Sequence, residues 1–305
     1  MNCLFIMEQW CDCNPACGVS GTHEYYLNTW RSLHLGRAFV VHYDNHPVDE
    51  TIRNALAISK RNPIDLVVYT EVGGHPSAQV HALWPQFSAR GIPVVAIWHD
   101  TVSIPSPDKD GVRLNVMVDT PQVKFPVRNS MGSWTPHDTS LFFDGHWDRD
   151  IDVLFPSSRA HKPLAAEWVV HIERAGIPVH WTGGQREQRL GWYEYAGLFR
   201  RAKIVINFCQ NSPGGFQQMK GRVTEAIYSG CLLLEQTNPY TEALLRSNVD
   251  CVYFGSPKEL VEKIRFYLAH DDERIKIADS GRGQAFVSYC PAAWWERVFS
   301  KIGMA

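Results

Sequence analysis

The chain alternates short apolar stretches with amphipathic ones along its whole length, and this alternation constrains the fold more than any other feature. The amphipathic stretches have helical periodicity and lie at about 22–35, 48–61 and 76–90, then at about 160–175, 190–202, 220–229, 240–247 and 257–270. The apolar stretches between them are 3–7, 38–43, 65–70, 93–98 and 114–118, then 152–156, 178–183, 203–208, 231–235 and 250–254. Repeated strand–helix–strand units of this kind are typical of parallel sheets that are covered on both faces.

A chain of 305 residues is long enough for two domains. We therefore predict an α/β protein with two facing, doubly wound, Rossmann-like domains. The segment 130–150 is rich in turn-forming residues and has no clear periodicity, so the domain boundary is expected there. The predicted limits are 1–145 and 146–290, with a C-terminal helix at 291–305 that packs back on the first domain.

Charge is distributed unevenly over a chain whose formal net charge is −2. Residues 1–150 contain 11 Lys and Arg against 16 Asp and Glu, whereas residues 151–305 contain 19 against 16. The second half is thus the more suitable one for an anionic ligand. No apolar run is long enough for a membrane span, and the first residues lack a basic leader, so a cytoplasmic location is expected.

Four of the eight cysteines lie near the N-terminus, at Cys3, Cys11, Cys13 and Cys17. Their spacing is not that of the usual structural zinc site, in which cysteines come in pairs. His23 could supply a fourth ligand to a metal site, but free thiols are the favoured interpretation. Disulfides are not expected in a reducing compartment, and no metal is predicted.

Polar side chains follow two of the predicted strands in the first half. His99 and Asp100 come directly after 93–98, and His23 lies in the long segment that follows 3–7. Side chains of this type bind sugar hydroxyls or accept a proton in catalysis, so all three are candidate catalytic residues. The alternatives are that Asp100 only caps a turn and that His23 is a solvated residue of the first helical turn.

The second half contains two candidate anion sites. Arg159 and Lys162 follow 152–156 where a helix is expected to begin, which is the chemistry of a phosphate clamp. Further on, Lys220, Arg222 and Glu225 open a helix after a glycine-containing loop. A carboxylate at that point can accept two ribose hydroxyls, as acidic residues do in dinucleotide sites. The alternative for both segments is an ordinary solvated, charged helix.

The segment KGRVTEAIYSGCLLLEQ (220–236) resembles the donor-binding region of group 1 (family 4-like) glycosyltransferases, of the spore-maturation-protein type. The segments 193–208 and 256–282 are also similar to that family. The first half is similar only in layout, and its most similar segment is IWHDT (97–101). The resemblance implies a GT-B fold, with the nucleotide-sugar bound by the second domain and the acceptor mainly by the first. It implies no tightly bound cofactor and no catalytic metal.

The resemblance also assigns roles to residues. Glu225 matches the ribose-binding Glu, and His99 matches the His that approaches the donor sugar. The implied donor site consists of Arg159, Lys162, Asn207, Gly215, Gln217, Lys220, Arg222 and Glu225. Many retaining members have a second Glu eight residues before the ribose-binding one, and here that position is Gln217. Retention or inversion therefore stays open, and the candidate bases for an inverting reaction are Glu8, Asp12, His23, His99 and Asp100.

The predicted function is metal-independent transfer of a hexose or pentose from a nucleotide diphosphate, with a UDP-sugar as the favoured co-substrate. The acceptor hydroxyl could belong to a glycan, a protein, a small metabolite or a hydroxymethylated DNA base. The alternatives are a non-catalytic nucleotide-sugar-binding module and another two-domain α/β enzyme, such as an epimerase.

Overall fold

The computed structural model describes residues 1–72, 78–99, 109–118, 127–146, 148–157, 163–182, 190–210 and 217–304. The chain divides into two compact units. Unit 1 consists of Met1–Asp138 together with Pro291–Ala305, and unit 2 is Thr139–Cys290. In the described ranges, no helix is both long and apolar enough to cross a bilayer.

Unit 1 is built on a six-stranded parallel sheet. Its strands are β1 (Asn2–Met7), β2 (Arg37–His42), β3 (Leu66–Val72), β4 (Val94–His99), β5 (Leu114–Val118) and β6 (Ser130–Ser133). The helices of its N-terminal part are α1 (Thr29–Ser32), α2 (Val48–Arg61) and α3 (Trp84–Ser88), and a π-helix at His23–Asn28 precedes α1. Strands β4 and β5 are buried along their full length, as near-continuous apolar sequences in a parallel sheet require.

The strand order of unit 1 is β2-β1-β3-β4-β5-β6. The chain passes from β1 to β2 on one side and then returns to place β3 on the other side of β1. The order therefore reverses between β1 and β3, and ligands of open α/β sheets bind beyond the carboxyl ends of the strands at such a point.

Unit 2 is built on a five-stranded sheet, in which all paired strands are parallel. Its strands are β7 (Ile151–Phe155), β8 (His180–Trp181), β9 (Ala202–Asn207), β10 (Leu232–Gln236) and β11 (Val252–Phe254). Its helices are α4 (Pro163–Arg174), α5 (Trp192–Arg201), α6 (Arg222–Tyr228), α7 (Pro239–Glu242), α8 (Pro257–Ala269) and α9 (Asp271–Gln284). The strand order is β11-β10-β9-β7-β8, so the reversal lies between β7 and β9.

The last helix, α10 (Pro291–Ile302), packs in unit 1. The indole of Trp294 donates a 2.7 Å hydrogen bond to Ser133 Oγ, and the indole of Trp295 donates one of 3.1 Å to Thr29 Oγ1. Trp295 also lies edge-on to Phe5 and Trp30. The end of the chain thus completes a cluster of aromatic rings on the first sheet.

The predicted α/β class with two parallel sheets is confirmed. Two elements differ from the sequence analysis. The segment 130–150, expected to be irregular, begins with β6, which exists because it pairs with β5 rather than because SMGS has a strand-like pattern. Helix α9 extends the helical region beyond 257–270, although its sequence is mostly polar.

Candidate functional site

The carboxyl edge of the second sheet brings together the described residues of the predicted donor site. Asn207 is the last residue of β9, next to the point at which the strand order reverses. Arg222 is the first residue of α6, and Glu225 lies in its first turn. Helix α6 therefore begins at the edge where ligands of such sheets bind.

Arg222 is held by the end of β9. Its Nε donates a 2.9 Å hydrogen bond to Oδ1 of Asn207, which is completely buried. The Nδ2 of Asn207 donates in turn to Oε2 of Glu235 at 2.7 Å. A guanidinium has five N–H donors, and the contact with Asn207 uses the single one on Nε.

Glu225 lies three residues after Arg222, so both side chains belong to one face of the helix. Glu225 is only 3% exposed, and its Oε2 accepts a 2.8 Å hydrogen bond from the hydroxyl of Tyr195 on α5. A cation and a fixed carboxylate thus stand side by side. This pairing suits a ligand that has both an anionic group and hydroxyls.

Gln217 and Lys220 precede α6. Gln217 Nε2 donates a 3.1 Å hydrogen bond to the carbonyl of Thr237, a contact that a Glu carboxylate could not make. Lys220 is half-buried, and its ammonium donates to the side chain of Gln218. The other predicted donor-site residues, Arg159, Lys162 and Gly215, lie outside the described residues.

Glu8 stands at the corresponding edge of the first sheet, directly after β1. It is 2% exposed and accepts a hydrogen bond from the hydroxyl of Ser20. Burial raises the pKa of Glu8 to about 7, although the Ser20 hydrogen bond and the nearby His99 act in the opposite direction. A carboxyl with a pKa near neutrality can both accept and release a proton at physiological pH.

His23 is fixed beside Glu8. Its Nε2 lies 3.1 Å from the carbonyl oxygen of Glu8, so this nitrogen carries the proton and donates it. The ring stacks on His42 at 5.0 Å between centroids. Burial, followed by the effect of His42, lowers the pKa of His23 to about 4. His23 is therefore neutral near pH 7.

His99 is the last residue of β4 and is 6% exposed. Its Nε2 lies 2.8 Å from the hydroxyl of Tyr26, in the π-helix that follows the loop after β1. Two of the three predicted catalytic residues, His23 and His99, thus belong to unit 1, where each is held by a polar contact. Asp100 lies outside the described residues.

The four N-terminal cysteines lie in β1 and in the segment that follows it. Over the ranges that the structure describes, no group of three or more His, Cys, Asp or Glu is arranged to hold a metal ion. Cys3 is buried in β1, and Cys13 Sγ lies 3.9 Å from Oε2 of Glu8. Burial raises the pKa of Cys13 to about 12, so this group stays a thiol.

A family of known proteins matches the part of the chain that contains Asn207, Arg222 and Glu225. Residues 158–300 match the family described as "Glycosyl transferase-like". The match spans α4 to α10 and includes Arg222, Glu225 and Glu235, and it bears out the glycosyltransferase interpretation of this segment. No curated protein matches the sequence.

Solved structures of glycosyltransferases have the same fold. The Anabaena protein HepE, in complex with UDP and glucose, is similar with a TM-score of 0.67 and 12% identity over 100% of both chains. Sucrose-phosphate synthase from Thermosynechococcus elongatus has a TM-score of 0.62 and 10% identity over 99% of both chains. AviGT4, a glycosyltransferase of avilamycin A biosynthesis, has a TM-score of 0.61 and 15% identity, covering 99% of this chain and 97% of that one. The predicted GT-B fold, with two Rossmann-like domains, is confirmed.

Three residues that contact candidate site residues within their own unit could not be singled out from the sequence. Tyr195 contacts Glu225, Glu235 contacts Asn207, and Tyr26 contacts His99. Each pair is separated by 28 or more positions, so neither periodicity nor local spacing could reveal it. A polar residue at the end of an apolar strand, such as Glu235 after CLLL, was the one available signal.

Proposed function

We propose that the protein transfers a sugar from a nucleotide diphosphate to an acceptor hydroxyl. The observation that supports this most strongly is the pairing of Arg222 and Glu225 on one face of α6, inside the segment that matches glycosyl transferase-like proteins. Arg222 would contact the diphosphate, and Glu225 would accept the ribose hydroxyls.

The donor is proposed to be a UDP-sugar. This choice is supported by HepE, which has been solved in complex with UDP and with UDP-glucose. Arg159, Lys162 and Lys220 would add positive charge around the diphosphate, and Asn207, Gly215 and Gln217 would complete the donor site. No tightly bound cofactor is proposed.

The leaving group in such a transfer is the nucleoside diphosphate. The bond between the anomeric carbon and the diphosphate oxygen breaks, and the electron pair stays on that oxygen. The acceptor oxygen bonds to the sugar, and its hydroxyl proton passes to a side-chain base or to the departing diphosphate. Cationic side chains can offset the charge that develops on the leaving group, so we propose a metal-independent reaction. Whether a hexose or a pentose is transferred stays a prediction.

The acceptor side is proposed to be unit 1, with His99, Asp100 and His23 as its candidate catalytic residues. The first half is the more acidic one, and His99 and His23 lie near the carboxyl edge of its sheet. Glycans, proteins, small metabolites and hydroxymethylated DNA bases are all acceptors of the required chemistry. The spore-maturation-protein subtype and the cytoplasmic location also stay predictions.

A second function, binding of nucleotide-sugars without transfer, is favoured by one observation. Position 217, where many retaining relatives of the proposed type have a Glu, is a Gln whose amide donates to the Thr237 carbonyl. The side chain of Gln217 thus binds the backbone at Thr237 and supplies no carboxylate to a ligand. The binding module and the enzyme share the donor site and differ only in turnover.

Thermal-shift measurements with UDP, GDP, ADP, CMP and their sugars test both functions at once. A ligand at 100 times its Kd adds about 2.7 kcal/mol to the free energy of unfolding, which raises the melting temperature by several degrees. Glu225→Ala should remove the shift, whereas the exposed Lys301→Ala should keep it. No shift with any nucleotide would refute both functions. Slow release of the nucleoside diphosphate from a bound nucleotide-sugar would indicate the enzyme, and binding without release would indicate the module.

A further inference from the structure

Glu235 is a fully buried carboxyl group at the edge of the second sheet to which the proposed reaction assigns no role. It lies near the end of β10, and its two oxygens accept hydrogen bonds on opposite sides. Oε2 accepts from Asn207 Nδ2 at 2.7 Å, and Oε1 accepts from Asn238 Nδ2 at 2.8 Å and from Thr241 Oγ1 at 3.1 Å. A buried carboxyl is costly unless its hydrogen bonds are satisfied, and here three donors meet it.

The amide of Asn238 has a fixed orientation. Its Oδ1 accepts hydrogen bonds from the backbone N–H groups of Tyr240 and Thr241 at 3.1 and 3.0 Å, which makes Asn238 the N-cap of α7. The cap needs an oxygen, so the NH2 group of Asn238 must point toward Glu235. The Nδ2 donor that faces Glu235 Oε1 therefore cannot exchange places with Oδ1 by rotation of the Asn238 amide.

The amide of Asn207 is fixed by the same reasoning. Arginine offers only donors, so Oδ1 of Asn207 must face Arg222 Nε, and its NH2 group must face Glu235. If that amide rotated, two N–H groups would oppose each other at Arg222. The acceptor on Glu235 is thus what allows Asn207 to hold Arg222 at the start of α6.

We propose that Glu235 is a positioning residue that acts through Asn207 to aim the Arg222 guanidinium at the diphosphate of the donor. This inference rests on the proposed function, because it assumes that Arg222 meets that diphosphate. The chain of contacts Glu235–Asn207–Arg222 runs along the carboxyl edge of the sheet, from β10 through β9 to the start of α6. An arginine that is already held in one orientation loses less conformational entropy when it binds an anion, so its contact with the phosphates is stronger.

The protonation state of Glu235 does not break this chain of contacts. Burial raises the pKa of Glu235 to about 8, and the hydrogen bond from Asn207 is foremost among the effects that lower it. In the neutral form, the hydroxyl of Thr241 offers an oxygen to the new proton on Oε1. Oε2 then stays an acceptor for Asn207 in either state.

The test uses Glu235→Gln, which keeps the volume of the side chain. Glutamine has one oxygen and one NH2 group, whereas the site presents one donor on the Asn207 side and two donors, Asn238 and Thr241, on the other. Because the α7 cap locks the amide of Asn238, the glutamine oxygen is expected to face Asn238 and Thr241, so its NH2 group opposes that of Asn207 and the Asn207–Arg222 contact is lost. The affinities of UDP and of uridine are measured by calorimetry or by competition for wild type, Glu235→Gln, Arg222→Ala and the double variant. We expect Glu235→Gln to bind UDP about tenfold more weakly and uridine within about twofold of wild type. In the Arg222→Ala background, the same change should have no further effect on UDP.

Tyr253→Phe, on the neighbouring strand β11, is the matched control, because it removes a buried hydrogen bond to the Leu245 carbonyl and leaves the contacts of Arg222 in place. It should leave the UDP-to-uridine ratio unchanged. If Glu235→Gln does not fold, Asn207→Ala breaks the same chain of contacts and should give the same selective loss for UDP.

Three results would overturn the inference. They are unchanged UDP affinity in Glu235→Gln, an equal loss for UDP and uridine, and additive effects of Glu235→Gln and Arg222→Ala. Absence of UDP binding by the wild type would overturn the proposed UDP donor first and this inference with it. Failure of the two ideas is therefore distinguishable.

Discussion

The hydroxyl of Tyr195 donates a 2.8 Å hydrogen bond to Oε2 of Glu225, and this bond joins α5 to α6 at the candidate donor site. Glu225 is almost fully buried, so its carboxylate depends on such partners for its orientation. The bond fixes the orientation of the Glu225 carboxylate. A carboxylate fixed in this way is suited to select a ribose over a deoxyribose.

Tyr195→Phe is expected to weaken the binding of UDP about fivefold, which corresponds to a net hydrogen-bond contribution of ~1 kcal/mol. The binding of 2′-deoxy-UDP should change less, because this ligand lacks one of the hydroxyls that Glu225 would accept. Calorimetry with both ligands checks the prediction. The exposed Tyr193→Phe is the control on the same helix and should leave both affinities unchanged. A fivefold loss for both ligands would contradict the ribose role.

Glu8→Gln is expected to change the pH dependence of stability. The pKa of Glu8 is raised from 4.5 to about 7 by burial, so its stabilising contribution is complete below pH 4.5 and is lost as the pH rises through 7. The variant lacks this titration. Relative to wild type it should therefore gain on the order of 2–3 kcal/mol between pH 4.5 and pH 8.

The free energy of unfolding of wild type and Glu8→Gln, measured at both pH values, gives that comparison directly. The contributions of the other titrating groups are shared and cancel in the difference. A difference between the two proteins that is the same at pH 4.5 and pH 8 would show that Glu8 titrates with an ordinary pKa.

His23→Gln is expected to have the opposite sign. Burial lowers the pKa of His23 from 6.5 to about 4, so its contribution is present above pH 6.5 and is lost as the pH falls through 4. The variant should lose less stability than wild type on acidification from pH 7 to pH 4, by roughly 1–2 kcal/mol after allowance for its partial exposure. His171→Gln, at an exposed position of α4, is the control. Between pH 7 and pH 4 it should lose the same free energy of unfolding as wild type.

Trp295→Ala is expected to destabilise unit 1 strongly. Its ring is 1% exposed, contacts Phe5 and Trp30, and donates to Thr29 Oγ1, so truncation leaves a large cavity. Removal of a buried Trp side chain costs about 3–5 kcal/mol. Urea unfolding followed by fluorescence measures the loss. Lys301→Ala, on the exposed side of the same helix, should cost less than ~0.5 kcal/mol, and similar costs for the two variants would contradict the packing of α10.

The strands that the sequence predicts well are those in which nearly all residues are apolar. Strands β1 and β4 are apolar in nearly every position, because a parallel sheet hides both faces. Strand β6 escaped prediction, since of its four residues only Met131 is buried and its existence depends on pairing with β5. Helix α9 escaped for a related reason, as it starts with a run of charged residues and contributes few apolar side chains to the core.

The site shows the same division. Arg222 and Glu225 could be identified from their spacing at the start of a helix and from the family resemblance of their segment. Tyr195 and Glu235 could not, because their contacts with Glu225 and Asn207 arise only when distant elements pack together. Local pattern thus predicts candidate ligand-binding groups, whereas the residues that orient those groups appear only in three dimensions.

Turnover of a nucleotide-sugar tests the central proposal most directly. Wild type and Arg222→Ala are incubated with UDP-glucose and other nucleotide-sugars, with and without a mixture of hydroxyl acceptors, and release of the nucleoside diphosphate is followed over time. We expect release by the wild type that accelerates with a suitable acceptor, and release at least about tenfold slower in Arg222→Ala, in which a cation on the leaving group is lost. No release from any nucleotide-sugar, or equal release by the two proteins, would contradict it.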